Sequence, residues 1–155
     1  MSLSSYAKIN LTLKVNCKNK NNLHEIQSYF CLIDLADKIN IKKIKNRKDK
    51  ISFKGPFAKL VNKSNNSILS LFRLLRKLGL ISNFYSVTII KNIPVFAGLG
   101  GGAANVATIL KYLFKRRISM SLLNQVEDDV GSDLKLFFYN QGFMKSLGHV
   151  INIQK

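Results

Sequence analysis

The chain has 155 residues, 46% of them hydrophobic and 21% charged. That balance supports one domain with a packed core and excludes a wholly disordered or collagen-like polypeptide. Lys and Arg number 25 against 8 Asp and Glu, a formal net charge of +17, so the surface attracts polyanions. No apolar run reaches the length that spans a bilayer, which excludes an integral helical membrane protein.

Residues 6–15 alternate, with Ala7, Ile9, Leu11, Leu13 and Val15 on one face and Lys8, Asn10, Thr12 and Lys14 on the other. The period of two predicts a single half-buried strand. The polar stretch 16–22 predicts a turn. Strands are predicted over 26–35, over 38–45 and around 51–53, the last closed by Gly55-Pro56. A helix follows, capped from Ser64-Asn65-Asn66-Ser67, with Ile68, Leu71, Phe72, Leu75 and Leu78 at helical spacing and Gly79 placed to end it. A strand is predicted over 84–91, and then Pro94 opens a glycine-rich loop. The helix after it carries Val106, Ile109, Leu110, Leu113 and Phe114 on one side. A short helix near 121–127 precedes a predicted acidic turn at Glu127-Asp128-Asp129. An apolar strand over 134–139 and short β runs complete the pattern, which reads as a single α+β domain over 1–155.

Residues 1–10 contain neither a charged n-region nor an apolar h-region, so the expected compartment is the cytoplasm, with no membrane partner. Cys17 and Cys31 accordingly read as reduced, small buried hydrophobes. Nucleic acid is disfavoured as a partner. Aromatic residues are not interleaved with the basic ones, no zinc-ligand spacing appears, and the joint abundance of Lys, Asn and Ile matches an AT-rich coding bias.

Four of the nine glycines fall at Gly98, Gly100, Gly101 and Gly102. Such a loop turns several N–H groups toward one centre, and the free N–H groups and positive dipole end of the next helix point the same way. The pair predicts an anion cradle suited to a polyphosphate. It is not a Walker A loop, because no Gly-Lys-Ser/Thr follows. Nor is it a dinucleotide fingerprint, because no acidic residue stands about 20 positions on.

Three further segments accompany the loop. They are Ala7-Lys8-Ile9-Asn10-Leu11, then Leu23-His24-Glu25-Ile26-Gln27 leading to Asp34-Leu35-Ala36-Asp37, and Gly131-Ser132-Asp133. In this order and spacing they resemble the GHMP kinase superfamily over nearly the whole chain. The resemblance implies the α+β N-terminal domain of that superfamily, a two-layer β-α-β fold also found in a ribosomal protein, without the C-terminal domain. It also implies an ATP-dependent, Mg²⁺-requiring kinase. The acceptor would be the 2-hydroxyl of a diphosphocytidyl methylerythritol, in non-mevalonate isoprenoid precursor synthesis.

Residue by residue, the resemblance places Lys8 and Asp133 as catalytic groups and Asn10 and His24 against the cytidylyl substrate. It assigns ATP to Pro94, Val95, Phe96, Ala97, Gly98, Leu99, Gly100, Gly101, Gly102, Ala103 and Ala104. No metal ligand is assigned, and oligomeric state is left open. The sequence departs from the family pattern at Ala103 and Ala104, where serines are usual, at Leu23, where a tyrosine is usual, and at Lys135, where a proline is usual. Two other readings stay open, a non-catalytic nucleotide-binding remnant and a basic RNA-binding module.

Overall fold

A computed structural model describes residues 2–18, 24–115, 117–145 and 150–152. The strands are β1 (Ser2–Asn10), β2 (Lys14–Lys18), β3 (His24–Ile44), β4 (Lys50–Lys54), β5 (Phe84–Ile90), β6 (Gln141–Lys145) and β7 (Val150–Asn152). The helices are α1 (Ser67–Lys77), α2 (Gly101–Phe114) and α3 (Met120–Val130), with short 3-10 turns at Ala58–Leu60 and Leu134–Phe138.

All seven strands join one mixed sheet organised on β3. Residues 38–40 of β3 pair with β1 and also with β5, so those two strands lie on opposite edges of it. Residues 30–31 pair with both β1 and β6, which puts β6 on the β5 edge. Strand β4 adds to β5 in parallel, and every other pairing is antiparallel. The helices cover one face. Ile39, Ile41, Val87 and Ile89 from the sheet are buried in one cluster with Ile68, Leu71, Phe72 and Leu75 of α1 and Val106, Ile109 and Leu110 of α2. On the opposite face Lys38, Asn40, Lys42, Lys50, Ser52 and Lys54 are exposed, so part of the positive charge is solvated sheet surface.

The predicted elements need five corrections. The alternating stretch 6–15 is two strands. Its pairing with β3 slips by one residue between Asn10↔Phe30 and Lys14↔Gln27, and a one-residue slip exchanges the faces of a strand. Thr12 occupies the break, its Oγ1 accepting from the Tyr29 N–H and its carbonyl accepting from Ser28 Oγ. Leu11, Leu13 and Val15 are exposed, and so are Thr12 and Lys14 between them. The predicted turn 16–22 begins later, because β2 runs to Lys18.

The strands expected at 26–35 and 38–45 are one 21-residue strand. Asp37, which looked like a break, is fully buried and hydrogen-bonded within it. The acidic triplet is the last turn of α3, which Ser119 caps early and Gly131 ends at φ 112°. The apolar run from 134 is a 3-10 turn, its Leu134 and Leu136 N–H groups donating to the carbonyls of Gly131 and Asp133. A short apolar run fits a buried strand or a buried helical turn equally well. Cys31 is a free, partly buried thiol, and the side chain of Cys17 lies outside the described residues. No described helix is long and apolar enough to cross a membrane.

Candidate active site

Strand β5 ends at Ile90, and the chain then passes through Pro94 and the glycine-rich loop into α2. Gly98 (φ 72°) and Gly100 (φ 68°) take the left-handed conformation that glycine adopts without a Cβ penalty. Gly100 has a second constraint. A Cβ there would stand 2.6 Å from Phe137 Cζ and 3.4 Å from Lys8 Cγ. It is also the N-cap of α2 and offers no capping side chain, so the first N–H groups of the helix are left for a ligand. The loop and that first turn wall a cavity of about 620 Å³, together with Asn62, Asn65, Asn66, Ser67, Gly131, Ser132 and Asp133.

Lys8 is buried, against its position on the predicted polar face. The cause is a register irregularity. From Tyr6 to Lys8 the chain advances two residues while its partner on β3 goes from Ala36 to Leu32, and Ala7 and Lys8 both turn inward. The Lys8 backbone N–H donates to the Leu99 carbonyl at 3.1 Å, tying β1 to the glycine loop. Its ammonium donates to Asn10 Oδ1 at 2.7 Å and pairs with Asp133 Oδ2 at 3.3 Å. Asp133 stands just before the 3-10 turn and lines the cavity. A carboxylate and an uncapped helix N-terminus therefore share one cavity, and the Lys8 ammonium, outside its lining, stands 3.3 Å from that carboxylate. That set can hold a polyphosphate, neutralise charge on it and accept a proton from a hydroxyl.

Of the loop residues singled out in the sequence, Pro94 to Ala103 all line the cavity and Ala104 does not. Ala104 faces a separate groove beside Leu3, Tyr6 and Phe137. Of the two alanines, only Ala103 therefore changes the cavity wall. Lys135 has a partner of its own, Glu127, at 2.5 Å, which offsets a carboxylate at the unfavourable C-terminal end of α3. His24 is the first residue of β3, six positions beyond Phe30, the partner of Asn10. That is about 20 Å along a strand. The side chain of His24 and all of Leu23 lie outside the described residues.

Three residues with no assigned role also meet at this end of the sheet. Asp37 of β3, Lys91 just past β5 and Asn105 of α2 form a buried cluster. Both charges sit where the alternation demands apolar residues, in phase with Ile39 and Ile41 and with Val87 and Ile89. Extending the register by one residue beyond Lys38↔Ile90 sets Asp37 opposite Lys91. Two opposite charges in the core phase of two neighbouring strands were the signal available in the sequence.

Residues 66–131 match the family described as the GHMP kinases N terminal domain. The 4-diphosphocytidyl-2-C-methyl-D-erythritol kinase of Pelagibacter ubique is 37% identical over 138 residues, covering 86% of this chain and 48% of that protein. The protein of the same name from Caldanaerobacter subterraneus is 32% identical over 137 residues, covering 86% of this chain and 46% of that one. The chain thus spans about half the length of these curated relatives. A crystal structure of 4-(cytidine 5'-diphospho)-2C-methyl-D-erythritol kinase superposes with a TM-score of 0.72 at 23% identity, over 99% of this chain and 55% of that one. Over residues 66–131 the sequence thus matches the GHMP kinases N terminal domain, and the chain as a whole shares the fold of the superposed kinase.

Proposed function

We propose that this domain binds ATP and supports phosphorylation of the 2-hydroxyl of 4-diphosphocytidyl-2-C-methyl-D-erythritol, a step of non-mevalonate isoprenoid precursor synthesis. The observation that carries the reading is that Asp133, in the wall of the cavity formed by the glycine loop, is paired from behind with the buried ammonium of Lys8. The names of the relatives give the acceptor.

The ATP phosphates fit against the uncapped start of α2, where Gly100 takes a left-handed conformation packed against Phe137 and Lys8 that a side chain would disrupt. Asp133 accepts the proton of the acceptor hydroxyl as its oxygen attacks the γ-phosphorus, the bond to the β-bridging oxygen breaks, and ADP leaves. Lys8 holds Asp133 in place and places positive charge beside the transferring group. Asn10, bonded to the Lys8 ammonium, is assigned to the cytidylyl part in this reading, and the family resemblance assigns His24 to the same substrate. Mg²⁺ neutralises phosphate charge when it accompanies ATP. Such an ion takes phosphates, water and one or two carboxylates, and Asp133 is the carboxylate in the cavity wall. The domain acts in the cytoplasm as one folding unit over 1–155.

The test is phosphoryl transfer from Mg-ATP to the diphosphocytidyl acceptor by the purified chain. Asp133→Asn should lower turnover by about 100-fold or more while ATP affinity stays within about threefold. Equal loss of both would reject the assignment of Asp133. ATP binding without transfer in the unaltered chain would instead favour a nucleotide-binding remnant.

A further inference from the structure

The loop that holds the phosphates in the reading above has no internal scaffold of its own, since glycine supplies no side-chain contacts and α2 starts without a cap. Something outside it must fix where its two ends lie. The chain enters the loop through Asn92 and Ile93 and leaves it into α2, and both ends are bonded to one carboxylate. Asp37 Oδ1 accepts from the backbone N–H of Asn92 at 2.8 Å and of Ile93 at 2.9 Å. Asp37 Oδ2 accepts from Asn105 Nδ2 at 3.0 Å, in the second turn of α2, and from the Lys91 ammonium. A fifth bond, Asn92 Nδ2 to the Ala36 carbonyl at 2.9 Å, joins the same junction to β3.

The cluster is buried, with Lys91 and Asn105 also in the lining of the cavity. Asp37 is 0%, Lys91 4% and Asn105 3% exposed, so its geometry is stiff. It also reaches the first turn of α2 directly, since a Cβ on Gly101 would lie 3.2 Å from Lys91 Nζ and 3.1 Å from Ile93 Cγ2. A side chain on Gly101 would thus require Lys91 or Ile93 to give way by a few tenths of an ångström.

We propose that Asp37 is the positioning residue of the nucleotide loop. Through Lys91, Asn92, Ile93 and Asn105 it sets the spacing between the start of the loop and the first turn of α2, and so the convergence of the N–H groups of 101–103 on a phosphate. The proposal deepens the ATP-binding reading and rests on it. Asp37 touches no reacting atom and acts only through its partners.

The test compares Asp37→Asn with Asn105→Ala, which leaves the Asp37–Lys91 ion pair in place. Asp49→Asn serves as the reference, since Asp49 forms a similar carboxylate cluster with Arg76 and the Tyr85 N–H at the opposite end of β5. Amide hydrogen exchange and Mg-ATP affinity are measured on each, together with the melting temperature. Asp37→Asn should speed exchange at Ile93 and at 101–103 by at least tenfold and weaken ATP by at least tenfold. Asn105→Ala should shift both readouts in the same direction by about threefold or more. Asp49→Asn should lower the melting temperature while leaving both readouts at the unaltered values.

The proposal is overturned if folded Asp37→Asn keeps normal loop exchange, or if Asp49→Asn loosens the loop equally at matched stability. If Asp37→Asn does not fold, Asn105→Ala decides by the same criteria. If the unaltered chain binds no ATP, the functional reading fails, and loop exchange alone still decides the role of Asp37.

Discussion

Strand β5 is pinned at each end by a carboxylate, and the two ends do different work. At its start, Asp49 Oδ1 accepts from the Tyr85 N–H and from Arg76 Nη2, both at 2.8 Å, and Arg76 stacks over the Phe84 ring at 4.4 Å. Arg76 is partly exposed there, and the neighbours are the loop that joins β3 to β4 and the last turn of α1. At its far end Asp37 is wholly buried, and its partners are the two edges of the glycine loop. A carboxylate that receives backbone N–H groups and a cation can thus serve either as a fastening for the sheet or as the frame of a binding loop. The elements it joins decide which.

The comparison is sharpest where a change should affect one end only. Asp49→Asn leaves the partly exposed Arg76 with the Phe72 and Asn83 carbonyls but no carboxylate, a loss of about 1.5–3 kcal/mol. Thermal or denaturant unfolding should show that loss while ATP affinity is unchanged. The reverse asymmetry is expected within the loop. Gly100→Ala meets Phe137 at 2.6 Å and imposes a positive φ on a side chain, a combined cost of about 2–4 kcal/mol. ATP affinity should fall with it, because Phe137 and Lys8 are the atoms displaced. Gly98→Ala has nothing within 4 Å, so calorimetry should find only the backbone cost of about 1 kcal/mol.

Smaller effects separate the two alanines. Ala103→Ser puts a hydroxyl on the cavity wall and should tighten ATP by about 1 kcal/mol, whereas Ala104→Ser turns toward the other groove and should leave titrations unchanged. At the Asp49 end, burial first, and the neighbouring Tyr112 second, push the Tyr85 hydroxyl above its ordinary value of 10.0. A group raised in the folded state contributes stability that is fully present below its unfolded value and lost as pH rises through the folded one. Unfolding curves should therefore show an alkaline loss of stability beginning near pH 10, reduced in Tyr85→Phe.

Much of this was legible in the sequence, for reasons that also explain what was not. The helix from Ser67 announced itself because five apolar residues recur at helical spacing behind an Asn66 cap, which accepts from the Leu69 N–H at 3.1 Å. The loop was legible because few functions other than anion binding require four glycines ahead of a helix. Burial of Lys8 was not legible, because it follows from a register irregularity against β3, which is set by pairing over more than 20 residues of separation. Asp37 was misread for a related cause. Local pattern treats a lone acid in a strand as an interruption, and its partners lie 54 to 68 positions away. The 3-10 turn at Leu134–Phe138 failed as a strand because the run is too short for its period to decide.

The most direct measurement is an NMR titration of the ¹⁵N-labelled chain with Mg-ATP, following every backbone amide. The account predicts that the largest shifts fall at Gly98 and at 100–103, with smaller ones at Lys8, Asp133 and Ile93 and none around Asp49 and Arg76. Saturable shifts centred on the exposed lysine face of β3 and β4, with the loop amides unmoved, would contradict it.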